Sequence, residues 1–174
     1  MLKRFYIAKL VLVLLLAAFF ARYFFIRDKI ISSFLHGFLL VVHEAGHMLM
    51  QPFGEFFTIL GGTLWQILLP VIIMVYFFIS RQFYSGALVL FLVGFSLVDA
   101  SVYVGDARLR QLPLITFDKS THDWWNLLLS LELLRYDKVL AGLFYLQGWV
   151  CFFLASYLGI VFSQKQEKKS YMVA

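Results

Sequence analysis

Apolar residues in this chain run in long blocks, and the polar residues collect where the blocks end. Five blocks approach the length of a bilayer crossing, about 20 residues. They predict helices over about 5–26, 30–50, 63–80, 84–104 and 140–163. Lys3 and Arg4 precede the first block and "RDK" at 27–29 turns the chain after it. That block contains "LVLVLLLAAFFA", which has the look of a secretory signal with a small-residue cleavage site, but it is expected to be retained as the first helix. The stretch "QPFGEFFTILGG", residues 51–62, stays apolar yet carries a proline and three glycines. It is expected to be a re-entrant segment, which a bilayer tolerates only where protein covers the backbone. Residues 105–138 form the longest polar stretch, an interfacial loop. Within it "HDWWNLLLSLELLRY" predicts a short amphipathic helix with Trp124 and Trp125 at headgroup level. The expected fold is an all-α membrane protein: a bundle of about five transmembrane helices with a re-entrant segment and an interfacial amphipathic helix, making one polytopic domain over residues 1–174.

Composition strengthens this picture. Of 174 residues 62% are hydrophobic and 14% charged, where soluble domains carry about 25% charged residues. A multi-pass protein of the lipid bilayer follows, expected in a bacterial cytoplasmic membrane, with no room for a separate soluble domain. The net charge of +5 is a topology signal and not a nucleic-acid footprint, because the basic residues sit at block ends and form no patch. They divide almost evenly between the two faces of this map, so the positive-inside rule assigns no orientation. Cys151, the only cysteine, excludes an intrachain disulfide. No internal repeat is present, and the one low-complexity stretch is the tail "QKQEKK" at 164–169. If the second helix ends on a given face, the third leaves it and the fourth returns. The loop 105–138 is therefore expected beside the end of the second helix.

That helix ends in "VVHEAGHMLM", residues 41–50, where ionisable groups are costly and so point to function. His43 and His47, four apart, share a helix face about 6 Å apart and can reach one metal ion. Glu44 points aside, near enough to take a proton from a metal-activated water, and zinc lowers that water's pKa to give hydroxide at neutral pH. The bland alternative is a set of polar contacts between packed helices. Haem is excluded, because two histidines on one helix face cannot be opposite axial ligands.

A catalytic zinc takes a third protein ligand and keeps one position open. Ser96, Asp99, Tyr103 and Asp106 lie at i, i+3, i+7 and i+10 on one face of the fourth helix, and the loop adds His122 and Asp123. In one arrangement Asp99 or Asp106 binds the metal. In the other, preferred here, His122 folds back as the third ligand, with Asp106 or Asp123 accepting from an imidazole N–H and Tyr103 nearby. The alternative role for His122 is a surface cap of the amphipathic helix, "STHD" being a plausible helix start. For Asp99 and Asp106 it is an ion pair with Arg108 or Arg110, or a bond to Tyr103. His36 lies about 10 Å back along the axis at 1.5 Å per residue, a polar neighbour and not a ligand. Glu55 is a solvated carboxylate or a substrate contact. Gly37 and Gly46 permit close helix packing, and Gly61 and Gly62 either turn the chain into the third helix or expose backbone to an extended substrate.

"HEAGH" near the end of a transmembrane helix, followed by "GEFFTILGG", resembles the site-2-type intramembrane zinc metalloproteases. The similarity is specific at His43, Glu44 and His47 and looser over about 30–80. "DARLRQLPL" with "HDWWNLL" resembles a small group of multi-pass proteins that share the zinc motif. The resemblance implies one zinc ion held by the two histidines, Glu44 as general base, and hydrolysis of peptide bonds in membrane-embedded substrates. That family takes its third ligand from an aspartate in an L-D-G signature, which is absent here; Asp99 in "SLVDAS" stands at a comparable position only. The competing expectation is a non-catalytic metal-binding subunit of a larger membrane complex, with partner subunits, or a metal carrier.

Overall fold

The computed structural model describes residues 5–164, and these are helical with no strand among them. Lys3, Arg4 and the tail beyond Gln164 lie outside the described residues. Six helices follow one another: α1 (Ile7–Phe25), α2 (Phe34–Met50), α3 (Glu55–Ile79), α4 (Phe83–Gly105), α5 (Asp123–Ser130) and α6 (Asp137–Phe162). Of these α1, α3, α4 and α6 are long and apolar enough to cross a membrane.

Pairwise contacts set the directions. Tyr6 N–H donates to Ser163 O and Tyr145 Oη–H to Phe24 O, both at 2.8 Å, so α1 runs antiparallel to α6. Phe83 stacks on Phe162 at one end of α4 and Gly105 abuts Ala141 at the other, so α4 is also antiparallel to α6. Phe78 packs on Gly86, and Ser96 Oγ–H donates to Gln66 O at 2.7 Å, which makes α3 antiparallel to α4. Hence α1 and α4 run one way and α3 and α6 the other, and α2, antiparallel to α3 through His43–Gln66 and His47–Thr58, runs on in the direction of α1 to where α3 begins. Against the five crossings expected, four of the described helices have the length and composition of one, and α2 falls short. An apolar run of 17 residues, about 25 Å of helix, is long enough to enter a bilayer; whether it emerges on the far side is decided by its neighbours.

Residues 51–62 also differ from expectation. Gln51–Phe53 form a single 3-10 turn, Gly54 at φ 97° makes the corner, and 55–62 are the first two turns of α3. The glycine pair does not break the helix, because it is where α2 lies closest. A Cβ on Gly61 would stand 2.6 Å from Gly46 O, and one on Gly46 would collide with Gly61 O. Losing two methyl groups weakens the helix by roughly 1 kcal/mol each, a cost offset by backbone contact between α2 and α3. Gly37, by contrast, has open space where a Cβ would go and serves no packing role.

Around this hairpin α4 is the central element. Its apolar window is 72% buried, against 22% in each of the other three spans, whose outward residues such as Leu15, Ile72 and Phe153 are exposed. Phe91 and Phe95 of α4 meet Phe20 and Tyr23 of α1, and Phe91 meets Phe152 of α6, in a stacked and edge-on aromatic core. On α2 the exposed residues Phe34, Phe38, Val41 and Met48 form an outward apolar face, and its three histidines turn inward while Glu44 stays exposed. The short α5 docks from the side: Trp124 Nε1–H donates to Thr63 Oγ1 of α3 at 3.0 Å and its ring meets Phe144 of α6 edge-on. Trp124 is thus buried against α3 and α6, whereas Trp125 is partly exposed beneath the guanidinium of Arg110.

Candidate metal centre

The inward face of α2 brings His43 and His47 against Gly62 of α3. A Cβ on Gly62 would fall 2.6 Å from His47 Nε2 and collide with His43 Nε2, so glycine is what lets both rings reach the helix surface. Each ring is oriented from behind. His43 Nδ1 lies 3.0 Å from Gln66 Oε1 and His47 Nδ1 lies 2.8 Å from Thr58 O. An acceptor facing Nδ1 keeps a proton on that nitrogen and makes Nε2 the atom a metal would take.

Both Nε2 atoms face one carboxylate oxygen. Asp123 Oδ2 lies 2.9 Å from His43 Nε2 and 3.3 Å from His47 Nε2. Asp123 is the first residue of α5 and is locked by Tyr103, whose hydroxyl donates to Asp123 Oδ2 at 3.3 Å and accepts from Asp123 N–H at 3.0 Å. Burial raises the Asp123 carboxyl, but the hydrogen bonds of His43 and His47 outweigh it and hold it below the usual carboxylate range. The ligand-type atoms of His43, Glu44 and His47 also lie within 4.8 Å of one another.

The expected third donor stands elsewhere. His122 is fully buried, one residue before α5, and its Nδ1 accepts from Trp125 N–H at 3.2 Å as the helix cap. Its neutral ring therefore carries the proton on Nε2, which faces Asp106 Oδ2 at 3.6 Å, and the ring packs on Tyr103. Burial keeps His122 below the ordinary imidazole range, which favours this neutral form. The capping role holds, although the residue is not on the surface. Asp106 accepts from Gln111 N–H at 3.0 Å and Leu112 N–H at 2.9 Å, ordering the turn after α4. Asp99 accepts from Gln66 Nε2 at 2.6 Å and from His36 Nδ1 at 2.8 Å. None of His122, Asp106 and Asp99 is brought to the two Nε2 atoms; Asp123, expected one step removed from the metal, is.

A cavity of about 290 Å³ opens beside these groups, lined by Glu44, His47, Gln66, Asp99 and Asp123 and by the irregular stretch Leu112–Thr116. Glu44 borders this space without pairing to any described cation. Glu55, the first residue of α3, is exposed and does not border it.

Two contributors, Gln66 and Thr58, were not singled out from sequence, and Gly62 was expected in another role. Gln66 is a lone amide in the apolar run "LWQILLP", a signal by cost alone. Thr58, Gly62 and Gln66 lie at i, i+4 and i+8, one face of a helix; reading 51–62 as a loop hid that stripe. No family model, curated protein or solved structure matches the chain.

Proposed function

We propose that the chain is an intramembrane zinc metallopeptidase, with His43 Nε2, His47 Nε2 and Asp123 Oδ2 as the metal ligands and Glu44 as the general base. The observation that carries this reading is the convergence of two imidazole nitrogens and one carboxylate oxygen at 2.9 and 3.3 Å. Donors on a tetrahedron with bonds of about 2.0 Å stand about 3.3 Å apart, so the set fits zinc with little rearrangement. Two imidazoles and a carboxylate form an ordinary catalytic set, and the cavity leaves a further position open.

Bound there, the ion supplies Lewis acidity, easing deprotonation of water and polarising a peptide carbonyl. The chain's own residues do the rest. Glu44 takes the proton of the attacking water as the new C–O bond forms, then delivers it to the amide nitrogen as the C–N bond breaks. Gln66 and Thr58 O hold the imidazoles in one tautomer, and Tyr103 aims the Asp123 carboxylate. Gly62 lies seven residues into α3, roughly 10 Å from its start at 1.5 Å per residue, which supports a substrate bond cleaved below the membrane surface. That depth and the apolar outer faces of α2 and α3 favour peptides already in the bilayer. On this reading the chain is a distant member of the site-2-type proteases with its third ligand placed on a short lateral helix.

The test is metal content and cleavage measured together on the purified protein in lipid. Wild type is expected to bind one zinc ion and to cleave a membrane-embedded peptide. Glu44→Gln should keep the zinc and lose at least about 100-fold in turnover, the low end for a general base. Undiminished cleavage by that variant removes Glu44 from the mechanism, and a wild type that takes up no metal removes the reading altogether.

A further inference from the structure

We infer that Asp99 is a positioning residue for the metal centre, acting through Gln66 to decide which nitrogen of His43 carries the proton. This rests on the zinc reading above and deepens it. Four side chains form a continuous line: His36 Nδ1 to Asp99 Oδ1 at 2.8 Å, Gln66 Nε2 to Asp99 Oδ2 at 2.6 Å, and His43 Nδ1 to Gln66 Oε1 at 3.0 Å. Only the last member bears a ligand atom.

The logic lies in the two ends of a carboxamide. Gln66 has an acceptor oxygen and a donor NH2, and either end fits against an imidazole. With the NH2 facing His43, Nδ1 would have to accept, the ring proton would move to Nε2, and the nitrogen needed by the metal would be blocked. A carboxylate only accepts. Asp99 therefore claims the NH2 end of Gln66 and turns Oε1 toward His43. Asp99 is itself held from its other oxygen by His36, and although Asp99, Gln66 and His43 border the cavity they are buried side chains, with both ends of the Gln66 amide already taken by protein partners.

The backbone fixes the same geometry. Pro70 has no N–H for the carbonyl four residues earlier, which is that of Gln66. Ser96 of α4 supplies the missing donor to Gln66 O at 2.7 Å. Gln66 is thereby tied to α4 by its main chain, via Ser96, and by its side chain, via Asp99, three residues further along the same helix.

Zinc affinity, measured by competition with a chelator on the full chain in lipid, tests the inference. Wild type and His43→Ala are run first. Asp99→Leu is expected to weaken zinc at least about tenfold, the low end for loss of an outer partner. Gln66→Leu should weaken it to a similar degree, and Gln66→Leu/Asp99→Leu no further than Gln66→Leu alone, because Asp99 acts only through Gln66. A general loss of packing would instead add. Should the leucine variants fail to fold, two polar changes decide the matter. Gln66→Glu sets two carboxylates side by side and should weaken zinc, and adding Asp99→Asn should restore it, the asparagine NH2 donating to Glu while Glu still accepts from His43. Wild-type affinity in Asp99→Leu, additive losses, or no restoration overturns the role of Asp99 and leaves the zinc site standing. Absence of zinc from wild type, or its full retention in His43→Ala, overturns the site itself.

Discussion

A single residue offset decides the chemistry of the short helix α5. His122 and Asp123 are neighbours, yet one caps the helix with Nδ1 and points Nε2 at Asp106, while the other sends its carboxylate to the histidines of α2. Two substitutions separate these roles. Asp123→Ala should cost zinc affinity by about 100-fold or more, read by chelator competition, because it removes a ligand. His122→Ala should keep the bound zinc and cost about 1 kcal/mol of stability, the usual loss of a cap, read from thermal unfolding. The opposite pattern would return the third position to His122. Gly62 offers a third probe. Its alanine variant puts a methyl group where His43 Nε2 and His47 Nε2 converge, so metal binding should fall sharply with little change in helix content by circular dichroism. The histidine pair was legible in sequence because its geometry is local, one turn of one helix. Asp123 was legible as a possible acceptor for an imidazole N–H but not as the group that meets both Nε2 atoms, since which of two adjacent side chains faces inward depends on where α5 begins and what it packs against.

Helices α3 and α4 carry the site because they are joined by unusual bonds. Pro70 leaves the Gln66 carbonyl without its intrahelical donor, and the Ser96 hydroxyl fills the vacancy across the interface. Ser96→Ala should therefore destabilise the bundle by about 1–3 kcal/mol, the cost of an unmet buried acceptor, measured as a shift of the unfolding midpoint in detergent. Ser101 makes an informative control, because its hydroxyl donates to Val98 O within its own helix and joins no two elements. The apolar stripe of α3 was readable over 63–80, but its first two turns were not. Glycine pairs and proline are ordinary signs of a loop, and only the close approach of Gly46 to Gly61 makes them a helix contact.

Across the whole molecule, four candidate spans that alternate in direction put both described termini at one end of the bundle, where Phe5 pairs with Gln164. The metal centre opens toward the other end. In a Cys151→Ala background, single cysteines placed at Lys29 and at Phe117 should label from the same side of a sealed vesicle, and cysteines at Gln82 and Gln164 from the opposite side. Five crossings would separate Lys29 from Phe117. The sequence by itself determined the helical class, the apolar blocks, the pairing of His43 with His47, and the meeting of loop 105–138 with the end of α2. All of these follow from residue spacing and from the cost of polar groups in lipid. The tertiary structure alone decided that α2 runs on in the direction of α1, that Asp123 and not His122 meets the ring nitrogens, and that Gln66 and Asp99 stand behind His43. Each of those joins residues distant in the chain, and side-chain direction at such contacts is set by how helices pack, which no local pattern encodes.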